Sequence, residues 1–193
     1  MYLHTLGLAG CLLAAHASLL PAQAARGTAT AVMVGGPREG AAAPEFKLPW
    51  ANREVVGQPD APYELWRDRG KTVVLAFYPK DFTKGCTAEL QTFADQYDTL
   101  FGPDVVVLGI SPDSLETHRR FAASLELPFR LLSDPDQKVA RKYGSNGPGG
   151  VPRRTVFVVG PDGRVKYRNL QFNALDPKHY TELGTAVQAA RGS

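Results

Sequence analysis

Cysteine is scarce in this 193-residue chain, which contains only Cys11 and Cys86. Two cysteines so far apart form no C-x-x-C redox motif and do not provide the cysteine set of a structural zinc site. The four histidines add no metal-binding spacing. We therefore expect no metal and no other cofactor, and we interpret His118 and His179 as surface residues.

Runs of one charge are also absent. The formal net charge is only +3, and charges of both signs are spread throughout the chain. A nucleic-acid-binding protein usually shows a basic stripe or a cluster of Lys and Arg, so we expect no nucleic-acid partner. The length is suited to one globular domain.

Long apolar runs are confined to the N-terminus. Residues 6–20 are almost continuously apolar, but this stretch is too short for a membrane span. Ala22 and Ala24 then form an A-x-A cleavage site, although no Lys or Arg precedes the apolar run. We predict that residues 1–24 are a cleaved signal peptide and that the protein is periplasmic or secreted, with no membrane span.

A lipid anchor is the alternative to simple export. Residues 8–11 resemble a bacterial lipobox, in which Cys11 would carry the lipid. The apolar run continues past Cys11, where a lipoprotein would turn polar, so ordinary secretion is favoured. Residues 25–43 are rich in Ala, Gly and Thr and predict a flexible leader, whereas residues 44–193 predict the folded domain.

Two apolar, β-branched runs at residues 72–78 and 105–110 predict strands that are buried on both faces. A helical pattern follows each run, and residues 155–168 predict a hairpin. Strands that alternate with helices indicate an α/β fold with a mixed, mostly parallel central sheet and helices on both faces. Near the N-terminus, residues 46–48 predict a short strand that pairs with residues 55–56.

Cys86 follows the first of these strands and opens the helix after it. At a helix start, unpaired backbone N–H groups and the helix dipole favour a thiolate over a thiol. The thiolate is the nucleophilic form, so the position indicates a reactive sulfur. Each of these residues also has a purely structural interpretation. Cys86 could be an inert core thiol, Thr83 a helix N-cap, and Glu89 a first-turn charge or capping-box partner.

The segment around Cys86 resembles a known family. Pro79-x-x-x-Thr83-x-x-Cys86, within YPKDFTKGCTAE, is similar to the signature of the peroxiredoxins in the alkyl hydroperoxide reductase/thiol-specific antioxidant superfamily. The resemblance covers about residues 40–185 and is greatest to the bacterioferritin comigratory protein, or peroxiredoxin Q, branch. It implies a thioredoxin-like fold and a peroxide site that contains Pro79, Thr83 and Cys86.

The resemblance also implies an arginine that stabilises the thiolate and orients the peroxide. Arg153 and Arg154 are both candidates. The spacing to Phe157 and Gly163 matches the family pattern for Arg154, although a β-bulge would reverse the choice. We expect Tyr78, Phe82 and Gly85 to line the substrate pocket.

One position departs from the branch. Many members carry a resolving cysteine five residues after the first, where this chain has Gln91. The resemblance therefore implies a one-cysteine antioxidant peroxidase. Hydrogen peroxide or an organic hydroperoxide would oxidise Cys86 to the sulfenic acid, and an external thiol (thioredoxin-like, glutathione or another) would reduce it.

Two other functions remain open at this point. A non-catalytic peroxide sensor would use the same sulfur chemistry. A thiol–disulfide oxidoreductase of the same fold would need a second cysteine where Glu89 stands. We expect a monomer or a weak homodimer.

Overall fold

The computed structural model describes Met1 and residues 35–192. The predicted signal peptide, the lipobox cysteine Cys11 and the first part of the predicted leader lie outside the described residues. Within the described part, no helix has the length and apolar character needed to cross a membrane. That part also contains no group of three or more acidic, His or Cys side chains arranged to hold a metal ion.

Short strands flank a core of longer strands and helices. The strands are β1 (Lys47–Leu48), β2 (Trp50–Ala51), β3 (Tyr63–Glu64), β4 (Thr72–Phe77), β5 (Val105–Ser111), β6 (Arg130–Ser133), β7 (Thr155–Val159) and β8 (Val165–Asn169). The α-helices are α1 (Lys84–Asp95), α2 (Tyr97–Leu100), α3 (Leu115–Ser124), α4 (Lys138–Lys142) and α5 (Pro177–Arg191), and 3₁₀ turns occupy Leu65–Asp68 and Pro148–Gly150.

Six strands form the central sheet in the order β2-β6-β5-β4-β7-β8. The prediction of an α/β fold with a mixed sheet is confirmed, but "mostly parallel" is wrong. Only β4–β5 and β5–β6 are parallel, whereas β2–β6, β4–β7 and β7–β8 are antiparallel. The β7–β8 hairpin lies directly beside β4, so it contributes two antiparallel pairings rather than one edge.

Strand β4 divides the core into two layers. Val74 and Ala76 face a cluster that includes side chains from α1, α3 and α5. Val73, Leu75 and Phe77 face the opposite cluster, which includes α4 and the N-terminal strands. This alternation follows from the two-residue period of a strand, and it confirms helices on both faces of the sheet.

The first strands pair differently from the prediction. β1 pairs with β3, with Leu48 opposite Tyr63, and Val56 forms an isolated bridge to Ala51 instead. The alternation of apolar residues correctly indicated a strand near residue 47. It did not identify the partner, because several short segments nearby satisfy the same pattern.

The described part of the predicted leader pairs with the rest of the domain. The Gly40 and Ala43 amides donate to the carbonyls of Val165 and Gly163, at 2.8 and 3.0 Å, and Ala42 bridges Arg164. Residues 40–43, which precede the boundary predicted at residue 44, therefore pair with the domain. Backbone pairing needs no apolar side chains, so a segment of Gly and Ala gave no periodic signal.

A glycine in β5 allows close packing beneath the loop that follows β4. A Cβ at Gly109 would lie 2.6 Å from Leu131 Cδ2 and 3.2 Å from Tyr78 Cε1. The Tyr78 amide donates to the Ile110 carbonyl at 3.0 Å and extends the β4–β5 pairing by one residue. This hydrogen bond fixes the backbone of Tyr78, so the position at which the chain leaves the sheet at Pro79 is also fixed.

Candidate active site

Cys86 lies in the first turn of α1. Thr83, with φ −88° and ψ 147°, occupies the N-cap position, and its carbonyl accepts the Thr87 amide at 2.8 Å. Cys86 is the one free cysteine among the residues that the structure describes, and it is only 1% exposed. Burial alone would also fit the inert-thiol alternative, so the neighbours of the sulfur decide between the two.

A guanidinium group faces that sulfur. Arg154 Nη2 donates to Cys86 Sγ at 3.2 Å, and the Arg154 side chain is only 17% exposed. Arg153 is exposed and turns toward Gly147, where a Cβ would lie 3.2 Å from Arg153 Cγ. Of the two candidate arginines, the structure thus brings Arg154 to the cysteine. A positive charge in a poorly hydrated site stabilises a sulfur anion more strongly than it would in water.

Glu89 is the residue that the sequence interpretation misplaced. It is fully buried and forms an ion pair with Arg154 through Oε2, whereas Oε1 has no hydrogen-bond partner. It is therefore neither a first-turn charge nor a capping-box partner. Glu89 lies three residues after Cys86, and this spacing places both on one face of α1. That spacing was a signal that could have identified it.

Glu89 and Arg154 both have pKa values above their ordinary ones. Burial raises the pKa of Glu89 to about 7, and the opposing effect of Arg154 is smaller. Burial acts to lower the pKa of Arg154, but Glu89 and Cys86 together hold it above its ordinary value. Arg154 therefore remains a cation, with two buried acids competing for its positive charge.

The loop before α1 shapes the approach to Arg154. A Cβ at Gly85 would lie 3.1 Å from Arg154 Nη2, so the missing side chain admits the guanidinium. The Thr83 hydroxyl donates to the Lys80 carbonyl at 2.9 Å and makes no cap bond. Thr83 thus takes the N-cap position, while its hydroxyl closes the loop and does not bond the sulfur. Pro79 is half-buried at the start of this loop.

The two predicted aromatic pocket residues lie in different environments. Tyr78 is fully buried in the core, and its hydroxyl donates to Asp81 Oδ1 at 2.7 Å, so it supports the loop from below and does not line an open pocket. Phe82 is 52% exposed, and its ring packs against Phe121 at a centroid distance of 4.8 Å. The apolar run 72–78 contained no signal that separated Tyr78 from the strand core.

His118 is not a surface residue. Its side chain is fully buried against Asp81, with 2.8 Å between Nδ1 and Oδ2. The charged neighbours on α3 suggested exposure, but His118 shares the inward face of that helix with Phe121 and Ala122. His179 is half-buried, and its Nδ1 accepts the Asn173 amide at 2.7 Å.

A thioredoxin-like sheet that presents one cysteine at a helix N-terminus, beneath a guanidinium, defines a thiol-based oxidoreductase. The AhpC/TSA family profile matches residues 40–168, and the chain belongs to that family. It is similar to the chloroplastic peroxiredoxin Q of Triticum aestivum, with 34% identity over 174 residues that cover 89% of this chain and 76% of the wheat protein. This relationship places the chain among the thiol-dependent peroxidases of the peroxiredoxin Q/Bcp type.

Solved structures of proteins from the same family resemble this chain. Peroxidoxin BcpB from Mycobacterium tuberculosis has a TM-score of 0.68 at 28% identity, covering 80% of this chain and 99% of that one. The bacterioferritin comigratory protein of Xanthomonas campestris has a TM-score of 0.63 at 25% identity, covering 75% and 90%. The work on the Xanthomonas protein describes alkyl peroxide reduction activity.

The raised pKa of Glu89 predicts a pH-dependent stability. Between the ordinary glutamate pKa of 4.5 and about 7, the folded protein holds a proton that the unfolded chain releases. The stabilising contribution is therefore complete below the ordinary pKa and is lost as the pH rises through about 7. Glu89→Gln cannot ionise and should flatten this decline in urea unfolding measured from about pH 5 to about pH 8. The exposed Glu54→Gln is the control, and equal slopes for wild type and Glu89→Gln would contradict the assignment.

The two arginines should differ sharply in kinetics. Arg154→Ala removes the charge-assisted bond to the sulfur and should slow oxidation of Cys86 by peroxide by about a hundredfold. Arg153→Ala should leave the rate within about twofold of wild type, because exposed side chains distant from a site contribute little. Stopped-flow kinetics with excess peroxide measures both, and a larger loss in Arg153→Ala would overturn the assignment.

Proposed function

We propose that this protein is a one-cysteine peroxidase that reduces hydrogen peroxide and organic hydroperoxides and is regenerated by an external thiol. The observation that carries the proposal is the 3.2 Å contact between Arg154 Nη2 and Cys86 Sγ at the start of α1. A cation that donates to the sulfur favours the thiolate form, whereas an inert core thiol would need no charged neighbour.

In the oxidative step, the Cys86 thiolate attacks the terminal oxygen of the hydroperoxide. An S–O bond forms as the O–O bond breaks, so the sulfur is oxidised by two electrons and the peroxide is reduced. The leaving oxygen takes up a proton and departs as water or an alcohol. Arg154 stabilises the attacking anion and the negative charge that develops on the leaving oxygen.

Other residues contribute to the same step by position. Gly85 leaves space for the guanidinium, and Glu89 holds its other edge. Thr83 donates its hydroxyl hydrogen to the Lys80 carbonyl, so its lone pairs remain as acceptors for the hydrogen of an incoming hydroperoxide. Pro79 has no amide hydrogen and fixes the backbone where the loop leaves the strand.

The reductive step needs a thiol from outside the chain. Gln91 stands at the branch's resolving position and donates to Asp95 at 2.8 Å. A first thiol displaces water from the sulfenic acid and forms a mixed disulfide with Cys86. A second thiol then releases the Cys86 thiolate, and the reductant leaves as its disulfide. A thioredoxin-like protein, glutathione or another small thiol satisfies this chemistry.

The alkyl peroxide activity described for the Xanthomonas protein supports organic hydroperoxides as one substrate class. The half-exposed ring of Phe82 in the loop before Cys86 offers apolar contact to an alkyl group. A thiol–disulfide oxidoreductase is less well supported, because Glu89, buried and paired with Arg154, stands where the second cysteine would be. A peroxide sensor shares the oxidative step and differs by not turning over.

The proposed setting is outside the cytoplasm. The apolar N-terminal run and the A-x-A site support cleavage after residue 24, with Cys86 then the single thiol of the mature chain. We propose a monomer or a weak homodimer in that compartment. A lipid anchor through Cys11 is the alternative form of the same export.

Peroxide consumption tests the one-cysteine mechanism. Wild type alone should consume about one equivalent per chain and then stop, because the sulfenic acid cannot be resolved internally. With dithiothreitol present it should turn over many times, and Cys86→Ser should consume none in either condition. A burst without turnover in dithiothreitol would favour the sensor, and activity in Cys86→Ser would reject the proposal.

The mass of the mature protein tests export. The full chain expressed in a bacterial host should yield a periplasmic product that begins at Ala25, because the signal peptidase cuts after small residues. Intact-mass spectrometry of the fractionated cells measures this. A product that retains Met1 in the cytoplasm, or one that begins at a lipid-modified Cys11, would contradict simple secretion.

A further inference from the structure

A second polar cluster lies beneath the active-site loop. Asp81 and His118 are far apart in sequence, yet both side chains are fully buried and their Oδ2 and Nδ1 atoms are 2.8 Å apart. The other ring nitrogen of His118, Nε2, lies 3.2 Å from the Leu132 carbonyl in β6. His118 lies on α3, so its two contacts connect this helix to the active-site loop and to the central sheet.

Two contacts of the His118 ring bear on which of its nitrogens carry hydrogen. Both nitrogens face oxygen acceptors, and both can donate only if the imidazole carries two N–H groups. Asp81 also accepts the Tyr78 hydroxyl at its other oxygen, Oδ1, at 2.7 Å. Tyr78 and Asp113 are two ionisable groups that contact Asp81, and Asp113 accepts the Asp81 amide hydrogen. On α3 itself, Glu116 and Arg119 pair with each other at the surface.

This pair fastens a strained part of the loop. Phe82, directly after Asp81, has a φ of 58°, which is rare for a bulky side chain and must be enforced by its surroundings. Two hydrogen bonds hold the backbone in this conformation. The Asp81 amide donates to Asp113 Oδ2 at 2.9 Å, and Asp113 Oδ2 also accepts the Ser111 hydroxyl at 2.7 Å. The Phe82 ring itself rests on α3 through Phe121.

The strained turn leads directly into the site. Thr83 follows Phe82 and is the N-cap of α1, so the direction in which the loop leaves Asp81 sets where α1 begins. A shift of about 1 Å at a catalytic group typically costs on the order of a hundredfold in rate. We infer that Asp81 and His118 are positioning residues that set the location of Cys86 against Arg154, with Nδ1 of His118 donating to Asp81. This inference rests on the proposed peroxidase function.

Two histidine variants separate positioning from bulk stability. In His118→Asn the side-chain amide nitrogen takes the place of Nδ1 and keeps the bond to Asp81. In His118→Gln the amide nitrogen reaches the place of Nε2 and keeps the bond to Leu132 instead. Both variants leave a similar polar group in the same buried site, so a purely structural role would affect them alike.

Stopped-flow kinetics of Cys86 oxidation by hydrogen peroxide is the primary readout. His118→Gln should slow this step by about tenfold or more relative to His118→Asn, since only the latter keeps the tie to the loop. Reduction of the sulfenic acid by dithiothreitol should be slowed less than the peroxide step in both variants. His179→Asn, the same exchange on α5, should leave both steps unchanged. Equal losses in the two His118 variants, or no loss in either, would overturn the inference.

Nitrogen-15 NMR of the wild-type imidazoles gives a readout that does not depend on variant folding. The Nδ1 atom of His118 should carry a hydrogen, because it faces Asp81 Oδ2, and an Nδ1 without one would contradict the bond to the loop. Wild type and Cys86→Ser serve as the functional controls. If wild type fails to turn over, the peroxidase proposal fails, whereas a fast wild type with unaffected His118 variants rejects only the positioning role.

Discussion

The guanidinium of Arg154, placed between the buried acids Cys86 and Glu89, is the interaction on which the site depends. Its position follows from the sheet. Strand β7 runs antiparallel to β4 with Thr155 opposite Phe77, so Arg154 lies just beyond the end of β4, beside the start of α1. Gly85 leaves room for the approach, and Glu89 binds Nη1 of the guanidinium while Cys86 binds Nη2. The cysteine therefore meets a positive charge that folding has already desolvated and oriented.

Much of the fold followed from the pattern of apolar residues. The runs at 72–78 and 105–110 gave the two central strands, because a strand covered on both faces has no polar alternation. The parallel content was overestimated, since hydrophobic pattern does not reveal which strand lies beside which. The described part of residues 25–43 gave no strand signal for a related reason. Those residues join the domain through backbone hydrogen bonds, which leave no trace in side-chain composition.

The site was only partly visible in the sequence. Cys86 could be singled out because a strand, a loop and a helix meet there. The arginine was implied only by the family resemblance, and its spacing to Phe157 and Gly163 favoured Arg154 over Arg153. Glu89 and His118 were missed because charged and polar residues are usually exposed. Each is buried by a partner distant in sequence, Arg154 for Glu89 and Asp81 for His118. Such pairings arise only when the chain has folded, so residue type alone gives the wrong environment.

The central claim is that folding turns an ordinary thiol into an activated nucleophile at Cys86. The most direct measurement is the second-order rate constant for oxidation of reduced wild-type protein by hydrogen peroxide, compared with that of free cysteine at the same pH and temperature. The account predicts that the protein reacts faster by at least about a hundredfold, the size of effect expected from one oriented charge in a desolvated site. A protein thiol that reacts no faster than free cysteine would contradict it.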